Sequence, residues 1–321
     1  MSLYNDNKDL FLNPQVKQYG GSHMVMTNVQ RESKHKVLCI DTKYCDEFLN
    51  NRTIESEWDY NISNYNFTIP DKLTGVRSMS IKSVEIPMTY YNICAASGNN
   101  FFNVTVYNSN GSLNTQNITV TVPDGVYDTT NIAAAINTAI SGAGITNLTY
   151  SLNTSFVSKF AFTSSSSAVY YHISFYLDKS GDFSKYGFKS KLGWCLGFRN
   201  LTYTVANTTG VRSEGVIQLN QKYMYLAIDD YSNSNPVSFL SSMPKYFINK
   251  NIIAKILLDR NAYLTNTILC ASKYNGLLFS DTRVFDGEKH NIQKLNIKLL
   301  DENGNCVNLN GNDFSFTMCL E

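Results

Sequence analysis

The chain has 321 residues, 43% of them hydrophobic and 13% aromatic, enough to fill a sizeable core without covalent staples. Charged residues reach only 17% and the net charge is +1, which argues against a nucleic-acid partner, since such proteins carry a basic excess. No apolar run approaches the roughly 20 residues that span a bilayer, so no transmembrane segment is expected.

Residues 1–35 are polar and aperiodic, with isolated apolar groups at Leu10, Phe11, Val16, Met24 and Met26 and a break at Gly20-Gly21. They read as an extended N-terminal arm. Their start, MSLYNDNKDLFLNPQ, lacks the basic-then-apolar pattern of a secretory signal. The basic cluster Arg31, Lys34, His35 and Lys36 reads as a solvated linker. From Lys36 the chain alternates apolar and polar residues in short runs. KVLCIDTK is a strand, and WDYNISNYNFTIP is another that Pro70 should stop. VRSMSIKSVEIP slips phase, which predicts bulges. NNFFNVTVYN and NITVTVPDG flank a turn at Asn110-Gly111. One helix is expected over about 129–141, where Ile132, Ile136 and Ile140 form a stripe, Asp128 or Thr129 caps the start and Gly142 and Gly144 close the end. Strands resume with NLTYSLN, KFAFTS and YYHISFYL, although residues of about 145–190 are hard to place and could be an insertion. The Gly- and aromatic-rich FSKYGFKSKLGWCLGFRN suits a short helical turn. GVIQLNQKYMYLAIDDY, NIIAKILLD and TNTILCASK follow. In the closing HNIQKLNIKLLDENGNCVNLNGNDFSFTMCLE, Leu295, Ile297 and Leu299 share one face. Asn303-Gly304 and Asn310-Gly311 turn the chain, Val307 and Leu309 continue inward, and Phe314, Phe316, Met318 and Leu320 alternate to the end. Ten or more strands against one helix, with turns at short intervals, is the pattern of an all-β antiparallel sandwich or barrel.

Chemistry is sparse. The seven cysteines are odd in number, widely spread and free of Cys-x-x-Cys or zinc-ligand spacing; they read as reduced thiols, and no metal or cofactor is expected. The nine N-x-[ST] matches follow from the Asn-, Ser- and Thr-rich composition. The four histidines sit in no catalytic motif, and no nucleophile elbow, phosphate loop or zinc-protease helix is present. Asp229-Asp230 is the best candidate for acid/base or metal chemistry, but adjacent strand residues point to opposite faces, and Asp at a strand end also forms turns. Asp281, Asp286 and Glu288 fit no defined calcium loop. Trp194, flanked by Gly193 and Gly197, is either an aromatic platform for a sugar or the anchor of a tight turn. Trp58 and the pair Tyr170-Tyr171 are further candidates for a surface aromatic site.

The ordered blocks KVLCIDTKYCD, NFTIPDKLTGVRSMSIKSVEIPMTYYNI, VPDGVYDTTNIAAAIN, KLGWCLGFRN, YMYLAIDDY, NIIAKILL and the closing stretch resemble the jelly-roll capsid proteins of nucleocytoplasmic large DNA viruses and their virophage relatives, in particular pentons and related minor capsid proteins. The resemblance runs over residues 36–321. It implies a single antiparallel jelly-roll sandwich, no catalysis, and a homopentamer that fills five-fold vertices beside neighbouring major and minor capsid proteins, in a virion assembled in the host cytoplasm. Leu10, Phe11, Val16 and Met24 would then be the contacts that the arm makes in the shell. Two alternatives remain: a minor capsid or cementing protein between major capsomers, and a carbohydrate-binding or host-attachment sandwich.

Overall fold

The computed structural model describes residues 35–46, 63–164, 169–175, 187–231, 241–242, 247–248, 251–259, 266–285 and 290–321. The expected arm, with Leu10, Phe11, Val16 and Met24, lies outside the described residues, as does Trp58.

The chain first lays down β1 (Lys36–Asp41), β2 (Asn64–Val76) and β3 (Ser78–Pro87). It then builds β4 (Phe101–Asn108), β5 (Leu113–Thr121), helix α1 (Ile132–Gly142), β6 (Leu148–Leu152), β7 (Val157–Phe162), β8 (Val169–Ser174), the short helix α2 (Leu192–Cys195), β9 (Thr202–Val205) and β10 (Val211–Val216). It returns through β11 (Tyr223–Asp229), the two-residue strands β12 (Ser241–Ser242) and β13 (Phe247–Ile248), β14 (Ile252–Leu257), β15 (Ile268–Ser272), β16 (Leu278–Ser280), β17 (Arg283–Val284), β18 (His290–Leu300) and β19 (Ser315–Leu320).

The outer strands form two facing antiparallel sheets. One has the order β1-β19-β3-β15, with β17 also pairing β3; the other runs β16-β14-β11-β18-β2. Count the eight principal strands β1, β2, β3, β11, β14, β15, β18 and β19 in chain order. The first sheet then reads first, eighth, third, sixth, and the second reads second, seventh, fourth, fifth. That interleaving is the jelly roll, in which successive strands, apart from the paired fourth and fifth, alternate between two packed sheets. Inward positions recur every second residue: Ile40, Val84, Ile86, Phe316 and Met318 from one sheet meet Met224, Leu226, Ile228, Leu295, Ile297 and Leu299 from the other, all buried.

Two local expectations change. Pro70 does not stop β2, which continues to Val76. A proline removes one donor from a ladder, and β2 tolerates the loss as an edge strand whose pairing with β18 shifts register between Thr68 and Leu73. The expected bulge in β3 appears at Lys82, skipped where Thr317 pairs Ser83 and Met318 pairs Ile81. Val307 and Leu309 are buried as expected, but they sit in an irregular segment held by a single bridge from Leu300 to Cys306 and by Ser63, whose N–H donates to the Val307 carbonyl at 3.0 Å.

The connection between β3 and β11 carries a second core. The order β5-β4-β8-β9 makes one sheet and β10-β7-β6 another, and α1 joins them. Phe102, Val104, Ile132, Ile136, Ile140, Phe160, Phe175 and Phe198 fill this core, and every buried member lies between Ile93 and Ile217. Among the described residues, the buried core of the roll draws only on Ile40–Tyr90 and Met224–Leu320. The hard-to-place stretch of about 145–190 is thus the middle of a longer body. Helix α1 starts at Ile132 rather than near 129. Asp128 caps the turn that leads into it, its Oδ1 accepting the Thr130 hydroxyl and the Thr130 and Asn131 N–H groups and its carbonyl accepting the Ile132 N–H at 3.2 Å, and the side-chain bonds hold its carboxyl below its ordinary value.

Candidate functional site

The acidic pair divides as strand geometry requires. Asp229 is half-buried and serves as a turn former: its Oδ1 accepts the N–H of Tyr231, whose φ is +58°. Asp230 points into the end of the sandwich with its side chain fully enclosed, its Oδ2 3.0 Å from His290 Nε2. His290 lies flat on Phe285, with ring centroids 4.6 Å apart and planes 12° from parallel. Arg283 completes the centre. At 2% exposure it donates from its two terminal nitrogens to the carbonyls of Ile228 and Asn251, both at 2.9 Å, while its Nε finds no acceptor among the described residues. Burial lowers the guanidinium pKa, and the charges of Asp230 and Asp229 act against that shift.

Four chain segments meet in this centre: the end of β11, the residue before β14, β17 and the start of β18. Sequence reasoning passed over it because its members are spread over sixty residues and only the fold brings them together. The signal available was an arginine and a histidine flanking a gap opposite an Asp-Asp strand end. An Asp–His pair can move a proton. A cleft of about 530 Å³ lies elsewhere, lined by Asp128, Gln218, Gln221, Lys222, Leu258 and Asp259. The centre's evident work is to neutralise charge and satisfy carbonyls where two strands end. Among the described residues no group of three His, Cys, Asp or Glu side chains could hold a metal ion. The described cysteines form no disulfide with one another, and burial pushes the Cys195 thiol up to about 12, so it stays protonated at neutral pH.

The aromatic candidates separate. Trp194, on α2, is half-buried and already stacked: the Arg199 guanidinium sits 4.0 Å from its ring centroid, Lys189 Nζ 5.5 Å, and Phe188 meets it edge-on at 5.6 Å. Its glycine neighbours permit this. A side chain at Gly193 would strike Phe175 at 2.4 Å, and Gly197, at φ +93°, lies where a Cβ would meet the Gly215 carbonyl at 2.3 Å. Trp194 is therefore built into a turn with a cation over one face. Tyr171 is not a surface residue. It is 4% exposed with its ring edge against Phe162, because its place in β8 puts it on the inward face. Its neighbour Tyr170, on the opposite face of β8, is half-buried with part of its side chain against the second core, and it stacks on Tyr107 across the ladder, centroids 5.0 Å apart and planes 8° from parallel. Several N-x-[ST] asparagines likewise have structural tasks: Asn153 and Asn207 accept N–H groups of their own loops through Oδ1, and Asn147 Oδ1 accepts the N–H of the distant Ser164.

No family model and no curated protein matches the chain. Among solved structures, it is similar to a mavirus penton protein, with a TM-score of 0.45 and 12% identity over 90% of this chain and 99% of that one; the jelly-roll assignment made above rests on strand order alone.

Proposed function

We propose that the chain is a structural protein of a viral capsid, a penton that fills five-fold vertices as a homopentamer. What carries the reading is the coincidence of two separate observations. Five of the seven sequence blocks that resemble large-DNA-virus capsid proteins fall on β1, β2, β3, β11, β14, β18 and β19 of the roll, and those strands interleave in jelly-roll order, while VPDGVYDTTNIAAAIN and KLGWCLGFRN fall in the second core. A jelly roll is a wedge with loops at both ends, and copies set side by side through heterologous contacts close into a ring after a fixed rotation. The near-neutral balance of the chain suits such a ring, since dense like charge would repel around a common axis. The body inserted between β3 and β11 leaves the roll at one connection, so it can project without interrupting either sheet. Neighbouring major and minor capsid proteins would be the other partners, the virion shell the location, and the arm a further contact.

Tagging the chain and reconstructing the particle that contains it tests the assignment. Tag density at the five-fold vertices is expected; density between hexavalent capsomers would replace the penton reading with the cementing one.

A further inference from the structure

The outward face of the β5-β4-β8-β9 sheet has an unusual composition. No Asp, Glu, Lys or Arg occurs from Phe101 to Val122, from Val169 to Phe175 or from Asn200 to Val211, the stretches that supply its four strands, although 17% of the chain is charged. In register, one outward row runs Thr105, His172, Thr204, and the next sets Tyr107 against Tyr170. The two tyrosine rings stack, and the His172 ring stands 6.3 Å from Tyr107. Asn117, at φ +45°, joins the first row by accepting the Thr105 hydroxyl at 3.3 Å.

An uncharged face offers no purchase to a phosphate, a nucleic acid or an oppositely charged protein. What it combines is rigid aromatic area, whose rings are apolar in the middle and polar at the tip, with hydroxyl and amide groups that both donate and accept. A sugar ring needs that pairing: its C–H face packs on an aromatic ring while its hydroxyls exchange hydrogen bonds at the rim. We propose that this face binds a neutral saccharide, with Tyr107 and Tyr170 as the platform and Thr105, His172, Asn117 and Thr204 as hydrogen-bonding groups.

The full chain probed on an array of neutral and acidic oligosaccharides, followed by titration of the neutral hits, tests this. Neutral glycans should bind, and sialylated or sulfated forms should bind no better. Tyr170→Ala should weaken binding at least tenfold. Thr204→Arg, at an exposed position that leaves the tyrosine stack in place, should weaken it similarly with an unchanged melting temperature. Absence of any neutral hit, binding confined to acidic glycans, or affinity that survives Thr204→Arg would each overturn the site. A pentameric chain that binds no glycan would overturn this site and leave the assembly reading intact.

Discussion

Arg283 is the largest fully buried side chain of the roll and one of the few charged ones. Replacing it by Met would strand two carbonyls and leave the Asp230 carboxylate without its buried counter-charge. The expected cost is about 3 kcal/mol, read as a lower denaturant midpoint with an unchanged slope. Asp301 gives a pH-dependent counterpart. Burial holds its carboxyl above the ordinary 3.8, even though Oδ1 accepts the N–H groups of Asn303 and Asn305. The folded chain therefore holds this proton more tightly than the unfolded chain. The associated stability is present below the unfolded value and is lost as pH rises through the folded one. Asp301→Asn keeps the Oδ1 acceptor and removes the buried charge. It should melt above the parent at pH 7, and the advantage should vanish as pH falls to about 4. Neither role was legible in the chain: a carboxylate's burial depends on what the fold packs over it, and LLDENGN reads only as a turn.

At the scale of elements, local chemistry was most readable where one residue type dictates one geometry. Asn310 and Gly311 both adopt positive φ, +55° and +75°, as the tight turn expected there requires. Alternation placed Phe314, Phe316, Met318 and Leu320 in the core, where all are buried. Periodicity missed where tertiary context intervened, at Pro70 in an edge strand, and it set the helix start near 129 rather than at Ile132. Two predictions belong at this scale. Gly197→Ala should destabilise the second core by about 2–3 kcal/mol, because the new Cβ meets a backbone carbonyl and the residue must hold φ +93°; a thermal melt measures it. Strand β19 lies between β1 and β3, with Phe316 opposite both Ile40 and Val84. Deleting residues 314–321 should therefore split that sheet and abolish cooperative unfolding in circular dichroism.

At the scale of the whole molecule, composition and strand pattern conveyed an all-β sandwich, and the ordered blocks pointed to a jelly roll. They did not convey that the chain builds two cores. The strands of the second core carry the same alternation as those of the first, so periodicity alone cannot assign a strand to a sheet; only pairing does. The division has a measurable consequence. Phe160→Ala leaves a void in the second core worth about 3–5 kcal/mol, and hydrogen exchange should quicken between residues 93 and 219 while β18 and β19 keep their protection. Uniform quickening would mean that the two cores unfold as one. The functional account rests on the roll as a wedge that closes into a ring. The mass of the purified full-length chain in solution, by native mass spectrometry across a concentration series, tests that most directly. The account predicts a species of five times the 36.1 kDa chain, growing with concentration; a chain that stays monomeric throughout, or stops at a two-fold dimer, would contradict it.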